Sequence, residues 1–411
     1  MTIYQVLPRL WGKGKMSDWD KDTFSYLKSL GISYIWFTGI IRHTSGKEYV
    51  KGNPGSPYAI SDYHDVNPYL ADNPDRRMDE FENLVKRVHR NGLKVLIDFV
   101  PNHVCADYCG DIPTYDWHDY DWSDTRKINY SAPGAWDRML EVILFWADKG
   151  VDGFRCDMVE LVDASFFKWM TSEAKKKYPG LTFVAEVYQK ENYRKYLDIA
   201  GFDLLYDKSG AYDSLMSIMH GGDIRSLSWN WQWLGDMQPR MLNFLENHDE
   251  VRLSRPDYAA LAYSALFNTA SFMLYFGQEI DERAEESDNS RTSIFNFVKL
   301  ASMKRLSKYI HNGKGLTKSE EITLERHREI VGLSSRIREY DNYDLLYCNS
   351  GEVFPFLRYS SSEAYLIACN FQENEIETEI VIPQDAKKKC RLGRDSISVR
   401  VKSHDCIILP L

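Results

Sequence analysis

Three carboxylates in this chain follow short apolar runs of the kind that form buried strands. Asp157 closes Val151-Asp152-Gly153-Phe154-Arg155-Cys156-Asp157, Glu186 follows Leu181 to Ala185, and Asp249 follows Arg240 to Leu245 through Glu246-Asn247-His248. Residues i and i+2 of a strand share a face, so Arg155 and Asp157 point the same way. A guanidinium beside a carboxylate holds it ionised and fixes its direction, as a nucleophilic or charge-stabilising carboxylate requires. A structural ion pair at a strand end is the alternative reading of that heptapeptide taken alone.

What must position these groups is a repeating unit. Strand-like segments at 3–6, 33–37, 93–100, 151–157, 181–187, 202–205, 240–245 and 272–276 alternate with helical patterns at 21–30, 79–90, 133–149, 163–177, 189–197, 212–219, 258–269 and 319–338. Eight strands, each followed by a helix, predict a parallel sheet closed as a (β/α)8 TIM barrel. A doubly wound open sheet is the alternative, and no Gly-rich phosphate loop supports it. The expected barrel covers residues 1–103 and 132–341, with a short inserted loop domain at 104–131 after strand 3. From residue 342 to 411 the texture changes to short alternating runs, which predict a C-terminal antiparallel β sandwich. In a barrel of this kind the active site lies at the C-terminal ends of the strands. That rule brings Asp157, Glu186 and Asp249 to one rim, with Arg155, His103 and His248 beside them.

The 411 residues are 44% hydrophobic, 27% charged and 14% aromatic, enough to bury a large core. A formal net charge of -9 argues against a nucleic-acid partner. A neutral substrate suits the composition better, and 11 Trp and 26 Tyr supply flat faces on which sugar rings can pack. No apolar run is long enough to span a bilayer, which speaks against a membrane partner. Seven scattered cysteines form no framework, although Cys105 and Cys109 are close enough to pair. With no basic segment leading into an apolar one at the start of the chain, the expected location is the cytoplasm.

The rim segments together resemble the α-amylase family of glycoside hydrolases, glycoside hydrolase family 13. Its four short motifs are matched in order by Asp98-Phe-Val-Pro-Asn102-His103, Gly153-Phe-Arg155-Cys-Asp157, Ala185-Glu186-Val187 and Phe244-Leu-Glu-Asn247-His248-Asp249. Ser56-Pro-Tyr58-Ala-Ile-Ser-Asp62-Tyr63 and Tyr275-Phe-Gly277-Gln278-Glu279 extend the likeness over the whole barrel. The resemblance implies Asp157 as nucleophile, Glu186 as general acid/base and Asp249 as the third acid that holds sugar hydroxyls. It implies His103 and His248 as hydrogen-bond donors to the same sugar and Tyr58 as its stacking platform; Asp98 reads as a support for Arg155 or for the strand end. The implied reaction is retaining hydrolysis of α-1,4-glucosidic bonds in starch, glycogen or maltooligosaccharides, an α-amylase-like double displacement. An exo-acting α-glucosidase, a maltogenic hydrolase or a transglycosylase is the alternative within the family, and a non-catalytic carbohydrate-binding barrel is the remote one. Retention calls for carboxyl groups about 5 to 5.5 Å apart, and Asp157 and Glu186 are expected near that spacing.

The pattern also departs from the family. After Asp157 the chain reads Met158-Val159-Glu160-Leu161, without the Lys-His pair that amylases often show, so Glu160 and Tyr188 sit where replacement sugar contacts would come from. Many members hold a structural Ca2+ with the Asn of the first motif; Asn102 is present, the other usual ligands are not matched, and no cofactor is required for the chemistry. The acids at Asp107, Asp111, Asp116, Asp119 and Asp121 read as a solvated loop. In Ser228-Trp229-Asn230-Trp231-Gln232-Trp233 the alternate tryptophans share a face if the segment is extended, which makes Trp231 a candidate glucan wall; anchoring of a loop is the alternative.

Overall fold

A computed structural model describes residues 1–340, 342–390 and 392–411. Its centre is a closed parallel barrel of eight strands: β1 (Thr2–Val6), β2 (Tyr34–Phe37), β3 (Lys94–Phe99), β4 (Gly153–Cys156), β5 (Thr182–Ala185), β6 (Leu204–Tyr206), β7 (Met241–Phe244) and β8 (Ser271–Tyr275). Each strand pairs with its sequence neighbours, and β8 closes on β1. The eight strand positions expected from sequence are all found. Parallel strands covered by helices are buried on both faces and so read as continuous apolar runs, which is why they are legible.

The barrel is filled by Ile3, Trp36, Leu96, Val184, Leu242 and Met273 among others, all buried. Packing is tight enough that Gly153 has no room for a side chain: a Cβ there would lie 2.2 Å from the Thr182 carbonyl oxygen. Register then carries the chemistry, because Asp98, Arg155 and Val184 stand side by side across β3, β4 and β5.

Helices α1 (Lys21–Ser29), α2 (Arg77–Arg90), α3 (Ala135–Asp148), α4 (Ala164–Lys177), α5 (Asp213–Met219), α6 (Arg225–Leu234), α7 (Tyr258–Leu266), α8 (Ala301–Asn312) and α9 (Lys318–Arg336) accompany the strands. Their starts follow capping chemistry: Asp20 accepts from the Thr23 N–H, Asp257 from the Ala260 N–H, and Thr317 with Glu320 forms a capping box. The helix expected at 189–197 is instead a short turn at Lys190–Asn192 followed by a wide π-type turn at Lys195–Ile199. Glu160 accepts from the Tyr188 and Gln189 N–H groups and from Asn192 Nδ2, which fixes the backbone there in another shape.

A second correction concerns the tryptophan run. It lies on α6 rather than in an extended segment, so Trp229 and Trp233, four residues apart, share the outer face at 56% and 47% exposure. The segment after β3 returns through a hairpin, His103–Cys105 paired with Thr125–Lys127. Cys105 and Cys109 are both free thiols. Among the described residues no helix is long and apolar enough to cross a membrane.

Beyond the barrel, two antiparallel sheets face each other. One holds β9 (Asn342–Leu345), β11 (Val353–Tyr359), β12 (Ala364–Asn370) and β15 (Asp405–Pro410); the other holds β10 (Tyr347–Cys348), β13 (Ile376–Val381) and β14 (Ser396–Val401). Strict alternation of buried and exposed residues along β13 shows one face turned to the sandwich core. Residue 341, expected as the last of the barrel portion, lies outside the described residues. A short helix, Gln384–Cys390, interrupts an otherwise all-β unit.

Arg358 on β11 stitches this unit to the barrel. Buried at 3% exposure, its guanidinium donates to the carbonyls of Leu266 (2.7 Å), Ile337 (2.9 Å) and Tyr340 (2.9 Å) and to that of Asn268. Replacing it by Met leaves several buried carbonyls without these donors, at a cost of about 3 kcal/mol or more. Arg358→Met is therefore expected to lower the urea midpoint markedly while the activity per folded molecule persists; an unchanged midpoint would count against the stitch.

Candidate active site

The rim is organised around Arg155, which is 1% exposed despite its full charge. Its Nη1 donates to Asp157 Oδ1 at 2.5 Å, its Nη2 lies 2.8 Å from Glu186 Oε1 and 3.8 Å from Asp249 Oδ2, and Asp98 Oδ1 is 3.9 Å from Nη1. The guanidinium also lies over the rings of Trp36 (5.4 Å), Tyr58 (5.5 Å) and Tyr206 (5.7 Å). One buried cation thus gathers four carboxyl groups from β3, β4, β5 and β7 or the turns that follow them. Four negative charges cannot all persist around one positive charge out of water, so protons must be retained within the cluster.

Where those protons sit follows from the contacts. Burial pushes Glu186 up to about 7, with Arg155 opposing and Asp157 and Asp249 adding to the rise. Burial raises Asp157 as well, but Arg155 opposes it both by charge and by a direct hydrogen bond, and Glu186 lowers it further by hydrogen bonding. Both groups are raised, Asp157 by Asp249 as well, and the direct hydrogen bond from Arg155 Nη1 opposes the rise at Asp157, which favours its ionised form over that of Glu186. Asp249, with 34% of its side chain exposed, opens towards the cleft. Asp98 is pushed up to about 7 by burial; it accepts from the Gly39 N–H at 3.1 Å and from the Tyr58 hydroxyl at 3.3 Å, so it braces the rim rather than facing solvent.

Glu186 is held in place from two further sides. The Met158 N–H donates to Oε2 at 2.8 Å, and the Tyr188 hydroxyl donates to Oε1 at 3.0 Å. Met158 adopts a left-handed conformation with φ 42° and ψ 46°, uncommon for a residue with a side chain, and that turn aims its N–H at the acid. Nothing in the residue type announces it. His248 is fixed by Gln5 Nε2, 2.6 Å from Nδ1, and by the Tyr58 hydroxyl at Nε2, and Nε2 is also 3.1 Å from Asp249 Oδ2. Burial holds His248 well below its usual pKa and His103 down to about 4, so both are neutral imidazoles able to donate to a hydroxyl.

A cavity of about 620 Å³ opens above these groups, lined by Asp157, Glu186, Asp249, Tyr58, His103 and Tyr188, with Trp122, Lys51, Lys208 and Arg291 at its edges. A second depression of about 540 Å³ adjoins it and includes His248; Asp249, Arg291, Ile294 and Phe295 line both. The sequence singled out none of Lys51, Trp122, Lys208 and Arg291; Lys208 opens a π-type turn, Lys208–Tyr212, and the other three sit outside helices and strands.

Two expected sugar contacts fall elsewhere. Glu160 is absent from the cavity lining; it accepts from Tyr188, Gln189 and Asn192 and so positions the loop that carries Tyr188. Trp231 faces inward from α6, packs edge-on against Phe267 and Tyr343, and donates from Nε1 to the Tyr343 hydroxyl at 3.1 Å. The anchoring alternative describes it, because the helical period places it opposite Trp229 and Trp233. The surroundings of Asn102 do not fit a bound divalent cation: Asn102 Nδ2 donates to Asp119 Oδ2 at 2.8 Å, and the Lys127 ammonium is 2.9 Å from the same oxygen.

The chain is similar in sequence and fold to known proteins. Residues 20–110 match the model of the α-amylase catalytic domain. An α-amylase, MalA, of Haloarcula japonica is 27% identical over 322 residues, covering 70% of this chain and 45% of that protein. Alpha-amylase 3 of Dictyoglomus thermophilum is 24% identical, covering 65% of this chain and 60% of that one. The crystal structure of a maltogenic α-amylase, AmyB, from Thermotoga neapolitana superposes with a TM-score of 0.74 at 22% identity, covering 100% of this chain and 96% of that one, and shares the fold.

The chain is similar to proteins of the α-amylase family. It spans about half the length of the curated family members it matches. The family's barrel with a C-terminal β unit is the architecture found here.

Since Trp231 buttresses the barrel against the C-terminal sheets, Trp231→Ala is expected to lower stability by about 3 kcal/mol while leaving kcat/KM unchanged on long and short maltooligosaccharides. A selective loss on long substrates with unaltered unfolding would return Trp231 to the binding surface.

Proposed function

We propose that this protein is a retaining glycoside hydrolase that cleaves α-1,4-glucosidic bonds in starch, glycogen or maltooligosaccharides. The observation that carries the reading is the Arg155 cluster, in which two carboxyl groups share one guanidinium at 2.5 and 2.8 Å while differing in what opposes their ionisation. In the first step the Asp157 carboxylate attacks the anomeric carbon and Glu186 gives its proton to the departing glycosidic oxygen. In the second, Glu186 takes a proton from water, which attacks the same carbon and frees Asp157. Asp157 and Glu186 contact the two terminal nitrogens of one guanidinium, and this shared partner supports retention, since an inverting pair stands farther apart to admit a water. Asp249, at the open side of the cluster, holds hydroxyls of the sugar at the cleavage point, and neutral His103 and His248 donate to others. Tyr58 supplies the flat face beneath that ring and Tyr188 the flat face on the leaving-group side.

The two depressions share Asp249, Arg291, Ile294 and Phe295 in their linings, and we read them together as one groove past the catalytic point. A groove admits a chain lying across it, which favours internal cleavage of α-glucans over release of one terminal unit. Three acids around a shared arginine are a costly arrangement to retain without chemistry, and this weighs against a non-catalytic carbohydrate-binding barrel.

A general acid works only while protonated, so activity present at lower pH is lost as the pH rises through the Glu186 pKa, and kcat/KM on maltoheptaose is expected to fall above about pH 7. Glu186→Gln is expected to lose about 10²- to 10⁴-fold and to lose that alkaline limb. Near-normal turnover in the variant would overturn the assignment. End-labelled maltoheptaose should give several internal products; terminal release alone would indicate an exo-enzyme, and longer products a transferase.

A further inference from the structure

Asn102 lies just after β3, Asp119 in the inserted segment and Leu161 in the turn after Asp157, three separate parts of the chain. They meet at a side-chain ammonium. Lys127 Nζ is 2.9 Å from Asp119 Oδ2 and donates to the Leu161 carbonyl at 3.2 Å, and it lies 5.5 Å from the Trp117 ring centroid. The Asp119 oxygen that accepts from Lys127 also accepts from Asn102 Nδ2 at 2.8 Å. Lys127 and Asp119 are 15% and 16% exposed at their side chains, so this is a largely covered ion pair rather than a surface one. Asn102 is fully buried, and its Oδ1 has no partner among the described residues.

The ammonium is met by a carboxylate and a backbone carbonyl, hard oxygen ligands of the kind Ca2+ takes, while Asn102 turns its Nδ2 to the same carboxylate. The one positive charge beside them is covalently attached. We propose that the Lys127 ammonium does the work of a structural divalent cation here: it ties the end of β3, the inserted segment and the turn after the nucleophile together, so the stability of this protein does not depend on dissolved metal. The reach of the tie is short, since Lys127 pairs directly with His103 in the hairpin and Leu161 lies four residues past Asp157. A metal in this position can be stripped by a chelator, whereas a lysine cannot. The same oxygens become a divalent-cation site once the lysine side chain is removed.

The test is thermal unfolding of the full chain, followed by circular dichroism in EDTA and in CaCl2, for the wild type and Lys127→Ala. The wild-type Tm is expected to agree in the two solutions to within about 1 °C, because a protein that binds no Ca2+ gains nothing by mass action. The Lys127→Ala Tm is expected to lie several degrees lower in EDTA and to rise in CaCl2. Lys127→Gln, which keeps length and a donor but no charge, repeats the low-Tm comparison if the alanine variant does not fold. A wild-type Tm that falls in EDTA overturns the proposal without reference to any variant. So does a Lys127→Ala protein as stable as the wild type, or one indifferent to CaCl2.

Discussion

A single buried guanidinium sets the terms for everything at the mouth of this barrel. Removing Arg155 from water is expensive, and the expense is offset only by the carboxyl groups that crowd it. Asp157 meets it with a direct hydrogen bond, Glu186 through the other terminal nitrogen, and Asp249 and Asp98 at longer range. Because the cluster holds more acid than base, it cannot be fully ionised, and the unequal contacts decide which group keeps a proton. That inequality is what the proposed division into an acid and a nucleophile rests on.

The fold supplies this inequality through register. Side-by-side placement of Asp98 and Arg155 on neighbouring strands brings the first brace within reach, and Val184 opposite Arg155 sets Glu186, two residues on, where its carboxyl reaches Arg155 Nη2 at 2.8 Å. The remaining precision comes from loops. The strained turn at Met158 and the Glu160-anchored turn at Tyr188 each deliver one hydrogen bond to Glu186. Gln5, from β1 across the barrel, does the same for His248. Among the described residues the C-terminal sheets contribute no group to the cavity; their contacts with the barrel, through Arg358 and between Tyr343 and Trp231, bear on stability.

The strands and the carboxylates they end on were legible because both signals are local: an apolar run, then an acid. What escaped a reading of the sequence depends on contacts between distant segments. Gln5 and His248 are 243 residues apart, so nothing near Gln5 marks it as a support for the site. The tryptophan run was ambiguous in period: spacing by two suggests one face of a strand, yet residues 229 and 233 are also one helical turn apart, and the helix prevailed. Glu160 looked like a sugar ligand from its nearness in sequence to Asp157, whereas the backbone N–H groups after β5 claim it. Lys127 carried no signal at all, since a lysine in a charged loop is ordinarily solvated.

The central claim, that Asp157 forms a covalent bond to the sugar while Glu186 serves as acid and base, is tested most directly by trapping. Glu186→Gln incubated with α-maltosyl fluoride, whose fluoride leaves without acid assistance, should accumulate a maltosyl ester, because the base that activates water is missing. Intact-mass and peptide-mapping spectrometry should find one maltosyl unit added, on the peptide that carries Asp157, and none in the Asp157→Asn, Glu186→Gln double variant. A label on another carboxylate, or fluoride release with product of inverted anomeric configuration, would contradict the account.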